Sequence, residues 1–131
     1  MSEQNVDAFF RSLEGFQRCD FDVWINSFAE DGEFVPQRAP IQGTYTGKAS
    51  LRGFLADNAE NFDVFHPWYE DVRDLGDRVL ALGKLRIQGK EGGVAIEVPS
   101  SLVITYRGGK VVRFEDFGER RKALRAVGLS D

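Results

Sequence analysis

The stretch DLGDRVLALGKLRIQGKEGG, residues 74–93, decides the fold. It opens on the turn signal Gly76-Asp77. It then alternates, with Lys84 and Arg86 between Gly83, Leu85 and Ile87, and it closes on the glycine cluster Gly89 to Gly93. Period-2 patterning between two turns is a strand flanked by hairpins. Working outward, the same period runs from residue 64 to 117 with a third turn at Gly108-Gly109. The pattern predicts four long strands near 64–74, 78–88, 94–107 and 110–117, an antiparallel meander with one face covered.

Upstream of Phe62 the period is 3.6. Val6, Phe9, Phe10, Leu13 and Phe16 predict an amphipathic helix over residues 3–18 with an aromatic inner face. Asp20 is placed to cap a second short helix with Val23, Trp24 and Phe28 on one side, stopped by Gly32. A brief strand follows over Glu33 to Pro36, then a loop from Pro36 to Gly47 that borders a cavity mouth. A third helix starts near Gly47 with Leu51, Phe54, Leu55 and Phe62 on one stripe, and a last helix near 119–127 is closed by Gly128. Helices first and a meander after them give an α+β chain. With no repeat, linker or low-complexity stretch, one domain over 1–131 is expected.

The 131 residues carry a formal net charge of -4 with a sequence pI near 5.1, against the basic footprint that phosphate backbones require, so no nucleic-acid partner is expected. Cys19 is the only cysteine; it allows no intrachain disulfide and reads as a small buried apolar residue. One histidine and one cysteine fall short of a zinc ligand set. Met1 to Phe10 contains Glu3 and Asp7 and no long apolar run, and no stretch approaches the length of a membrane span. No membrane partner and a cytoplasmic location are the expectations. Gly-rich dinucleotide or phosphate fingerprints are absent, so no redox cofactor and no metal are expected.

Several stretches together resemble the SnoaL-like branch of the NTF2-like superfamily, the cone fold shared with ketosteroid isomerase and limonene epoxide hydrolase. They are Cys19-Asp20-Phe21-Asp22 before Phe28-Ala29-Glu30-Asp31, Tyr45-Thr46-Gly47 before Leu51-Arg52, Asp74 to Val79, and Gly109 to Phe117. The resemblance implies a curved antiparallel sheet closed over an apolar pocket by three N-terminal helices. It identifies architecture rather than activity, because this fold hosts isomerases, cyclases, hydrolases, dehydratases and non-catalytic binders. Where ketosteroid isomerase has its general base this chain has Pro36, which cannot move a proton. For that family's oxyanion hole it offers Ser12 and Ser100 or Ser101. Limonene epoxide hydrolase is most similar around Phe114-Glu115-Asp116-Phe117, where Asp116 matches its catalytic aspartate. Lys84 and Arg86 stand where its second acid and arginine would be.

With Phe114 facing inward, alternation puts Asp116 on the concave face and Arg113 and Glu115 outside. A carboxylate among aromatic side chains has its pKa raised and suits acid-base work near neutral pH. The structural alternative is that Asp116 caps the last helix or pairs with Arg120 or Arg121. His66 is the one side chain whose ordinary pKa lies near 7, and alternation places it with Val64, Trp68 and Val72, although Pro67 beside it suggests an edge or bulge. Trp68 and Tyr69 fall on opposite faces, so one of them lines the pocket or an interface. Trp24, Phe28, Tyr45 and Trp68 are the aromatics expected near a cavity, with ordinary core packing as the alternative. Glu97 is expected outside and Ser100 inside, where it donates to a ligand or satisfies a backbone group. Leu80, Leu82, Lys84 and Arg86 share the convex face, which points to a homodimer through the sheet.

Three readings of function follow. One is a cofactor-independent isomerase, cyclase or dehydratase acting on a hydrophobic carbonyl compound, with Asp116 moving a proton, His66 or Tyr45 donating to the substrate oxygen, and Trp24, Phe28 and Trp68 holding the ring. Another is a module that binds a small apolar ligand without turnover. The last is an association scaffold, expected if Trp24 and Phe28 fill the cavity.

Overall fold

The computed structural model describes residues 2–130. Its elements in chain order are α1 (Ser2–Gln17), α2 (Phe21–Asn26), β1 (Phe28–Val35), α3 (Ala39–Gln42), β2 (Tyr45–Thr46), α4 (Lys48–Asn61), β3 (Phe62–Asp74), β4 (Arg78–Gly89), β5 (Ile96–Arg107), β6 (Lys110–Asp116) and α5 (Arg120–Ala126). The strands form one sheet in the order β2-β1-β6-β5-β4-β3. β3 to β6 make the antiparallel meander that the period-2 pattern and its glycine turns predict. One pair departs from it, because β1 lies parallel to β6, with Phe34 opposite Phe114.

β1 is also longer than the brief strand expected. The polar run after Phe28 reads locally as helix, yet α2 stops at Asn26 and Phe28 opens the strand. Gly32 does not end a helix. It lets β1 approach β6, since a Cβ there would sit 2.7 Å from the Val111 carbonyl oxygen. Phe62 likewise begins β3 rather than extending α4. At the end of α1, the Asp20 N–H bonds the Gly15 carbonyl and the Cys19 N–H bonds that of Phe16, a Schellman closure with Cys19 in the left-handed region at φ 62°. Cys19 is therefore exposed, contrary to the buried residue expected, and the Asp20 side chain makes no capping bond.

The helices cover the concave face with a core in which Trp24 meets Phe16, Phe28 and Phe34 edge-on at 5.3, 5.1 and 5.4 Å between ring centres. Phe10, assigned to the inner stripe of α1, is 41% exposed. A smaller core lies on the convex face, where Ala123 and Leu124 of α5 cover Leu80, Leu82 and Val103. Leu80 and Leu82 were expected as an open apolar face awaiting a second copy. Both are buried within the chain by α5, which removes them as a reason for a sheet-to-sheet dimer. No helix among the described residues is long and apolar enough to cross a membrane.

Candidate active site: a carboxylate in an aromatic cavity

The helices and the concave sheet enclose a cavity of about 610 Å³. Its walls are apolar and mostly aromatic, including Phe9, Phe16, Trp24, Phe54, Phe65 and Phe114. Polar groups occur at two places. The segment after β1, with α3, brings Gln37, Arg38 and Gln42 to the cavity and the end of α4 brings Asp57, Asn58 and Asn61, so both charges of this rim lie there. The sheet brings Tyr69, Ser100 and Asp116, and Ser12 of α1 is already bonded to the Phe9 carbonyl. Burial of a ring in such a space removes apolar surface from water, worth roughly 25 cal/mol per Å². The condition attached to the scaffold reading, a cavity filled by Trp24 and Phe28, is not met.

Asp116 ends β6 two residues after Phe114, on the same face, and both line the cavity. Its Oδ1 accepts from the backbone N–H of Ser101 at 3.1 Å and of Gly118 at 2.9 Å. Its Oδ2 accepts from the Ser100 hydroxyl at 2.7 Å and from Gln37 Nε2 at 3.2 Å. Burial pushes the carboxyl above its ordinary 3.8, and the hydrogen bonds from Gly118, Ser100, Gln37 and Ser101 each pull part of the way back. Arg120, considered above as an ion-pair partner, lies 3.6 Å from Asp71.

Tyr69 completes the group. Its hydroxyl lies 2.7 Å from Ser100 Oγ. The two residues stand on strands separated by β4, and both are opposite Gly83, in the pairs Tyr69↔Gly83 and Gly83↔Ser100. With no side chain at Gly83, the tyrosine ring can lie across β4 to meet the serine. Burial, then the nearby Asp116 carboxylate, raise the Tyr69 hydroxyl pKa far above the ordinary value of 10.0, so tyrosinate is strongly disfavoured. Gly83 was the one sequence signal that could have found this contact, since glycine inside a strand marks a bulge or a close approach.

The remaining assignments separate. Trp24 lines the cavity, whereas Phe28 is fully buried behind it, stacked on Phe114 at 5.9 Å. Tyr45 packs against Phe34 and Phe54 outside the lining, with its hydroxyl 3.4 Å from Gln42. Ser100 faces inward, but its hydroxyl is held by Asp116 and Tyr69. His66 and Trp68 do not share the cavity face. They pair with Arg86 and Lys84 on the convex side, where the Trp68 indole N–H bonds Glu70. Simple alternation fails because the register shifts between Tyr69 and Asp71. The bulge inserts Glu70 and returns Val72, not Trp68, to the helix-covered face. Among the described residues no group of three or more His, Cys, Asp or Glu is placed to hold a metal ion.

The hydrogen bond from Ser100 favours the charged carboxylate, so Ser100→Ala is expected to raise the Asp116 pKa further. Carbon-13 titration of the side-chain carboxyl in both proteins reads the difference; an unchanged or lower value in the variant would contradict it.

A curved sheet, N-terminal helices over its concave face and a polar cluster inside an aromatic cavity define a cone-shaped pocket protein of the NTF2-like fold. The chain belongs to the SnoaL-like domain family, whose pattern matches residues 6–114. An NTF2-like protein from Burkholderia pseudomallei superposes with a TM-score of 0.81 at 20% identity, covering 95% of this chain and 98% of that one. TerC, co-crystallised with polyporic acid, gives 0.78 at 24% identity over 88% and 92%. A protein of ketosteroid isomerase-like fold from Catenulispora acidiphila, in complex with trimethylamine, gives 0.72 at 22% identity over 98% and 95%. At these identities the likeness is one of fold. F-BAR domain only protein 1 of Danio rerio is 32% identical over an alignment 89 residues long that covers 63% of this chain and only 10% of that protein.

Proposed function

We propose that this protein is a cofactor-independent proton-transfer catalyst for a planar, mostly hydrophobic carbonyl compound, performing isomerisation, aldol-type cyclisation or dehydration. One observation carries the reading: a partly buried carboxyl in the wall of an aromatic cavity, with its pKa raised by the loss of solvent around it. Such a group takes a proton from a carbon beside a carbonyl and returns it elsewhere, because its raised pKa brings it closer to working pH. Relatives of the same fold accommodate organic molecules, polyporic acid in TerC and trimethylamine in the Catenulispora protein. The aromatic walls fit a ring system, with Trp24 as its base.

Direct carbon-13 titration of Asp116 in the unliganded protein tests this reading. A value clearly above 3.8 supports it, and a value at or below 3.8 would leave the cavity as a ligand-binding site without a base. His66 has no part in the scheme. His66→Ala is expected to leave ligand affinity and turnover within about twofold of the parent, as for surface substitutions in general; a tenfold loss of turnover at normal stability would return the histidine to the mechanism.

A further inference from the structure

Resting on that reading of Asp116, the structure also indicates how its carboxylate reaches a ligand. An ionised carboxylate offers about four lone-pair sites. All are occupied: Oδ1 by the Ser101 and Gly118 amides, and Oδ2 by Ser100 and Gln37. A ligand proton cannot reach either oxygen directly without displacing a donor. Ser100 spends its single hydroxyl proton on Oδ2, so the 2.7 Å contact with Tyr69 must use the tyrosine proton, with Ser100 Oγ accepting. The Tyr69 oxygen then keeps an acceptor lone pair, on a residue that lines the cavity.

We propose that Tyr69 is the catalytic residue that meets the substrate, and that it works as the outer end of a proton relay through Ser100 to Asp116. The substrate C–H bond breaks and its proton joins the Tyr69 oxygen while the Tyr69 proton passes to Ser100 Oγ and the Ser100 proton passes to Asp116 Oδ2. The electron pair of the C–H bond remains on the substrate as an enolate. No atom is gained or lost: the tyrosine and serine stay neutral, and the negative charge that leaves Asp116 on protonation appears on the enolate. The hydrogen bonds now run the other way, from Asp116 to Ser100 to Tyr69, and the Tyr69 hydroxyl points its proton at the enolate. Reversal of the same chain delivers the proton to a second carbon. The shift is concerted, because a stepwise route through tyrosinate would place a charge where burial most disfavours it. Oδ2 is the oxygen that takes the proton, since both amide N–H groups already point at Oδ1.

Proton NMR in D2O with 2-tetralone, a hydrophobic ketone with exchangeable α-protons, tests the relay. Tyr69→Phe and Ser100→Ala are each expected to slow exchange by about 100-fold or more, within the range of general acid–base catalysis. Ketone affinity by tryptophan quenching should change less than about threefold, as uniform binding is untouched. If either variant exchanges within about threefold of the parent while Asp116→Asn does not, the relay is wrong and Asp116 acts directly. If Asp116→Asn exchanges as the parent does, the proton-transfer reading itself fails.

Discussion

Asp116→Asn is expected to slow α-proton exchange of a bound hydrophobic ketone by roughly 10²–10⁴-fold, the span general acid–base catalysis covers. Ligand affinity should change by less than about threefold, because the aromatic wall that supplies binding is unaltered. The asparagine oxygen can still accept from the Ser101 and Gly118 amides. Its NH2 group, however, now faces the Ser100 hydroxyl and the Gln37 amide, both donors to Asp116. Ser100 must turn its proton toward Tyr69, so the variant freezes the chain in one direction and removes its base. Equal loss of affinity and rate would instead point to a disturbed cavity.

The same substitution has a stability signature with a definite sign. A carboxyl whose folded pKa lies above its unfolded value binds its proton more tightly in the folded state. Its favourable contribution is fully present below 3.8 and is lost as pH rises through the folded value. Asp71 works in the opposite sense. The hydrogen bond from Arg73 is the largest cause holding its pKa below 3.8, so its contribution exists above 3.8 and fades as pH falls. Subtracting the denaturation profile of Asp116→Asn from that of the parent isolates the first term.

Gly83→Ala is expected to be the most damaging small substitution, costing about 3 kcal/mol or more and lowering Tm by roughly 10 °C. An added Cβ would collide with the Trp68 carbonyl oxygen and stand 2.6 Å from Tyr69 Cα. Both obstacles are backbone, so no rotamer change relieves them, and β3 must move away from β4. The displaced residue is Tyr69, which would lose its 2.7 Å contact with Ser100, so exchange activity should fall even where the protein remains folded. Thermal denaturation followed by circular dichroism checks the first effect. A Tm within about 2 °C of the parent would mean that the strands around Gly83 tolerate a methyl group.

Much of this molecule can be read from local pattern. Period-2 alternation and paired glycines specify β3 to β6 to within a few residues, because a strand with one covered face must alternate and a tight hairpin needs positive φ. The same rule carries Asp116 and Ser100 to the concave face, since the β5–β6 register runs unbroken from Leu102↔Asp116 to Thr105↔Arg113 and shifts only beyond it, between Thr105 and Tyr106. Tertiary structure decided the rest. β1 is a strand because Phe28 and Phe34 pair with a segment some 80 residues later, a contact local propensity cannot register. Glu70 bulges out of β3 and turns His66 and Trp68 away from the cavity, and α5 folds back over Leu80 and Leu82. Tyr69 reaches Ser100 only because an intervening strand has glycine at the crossing. Periodicity fixes which way a side chain faces within one strand, whereas register between strands fixes which side chains meet, and the chemistry of this cavity depends on the meeting.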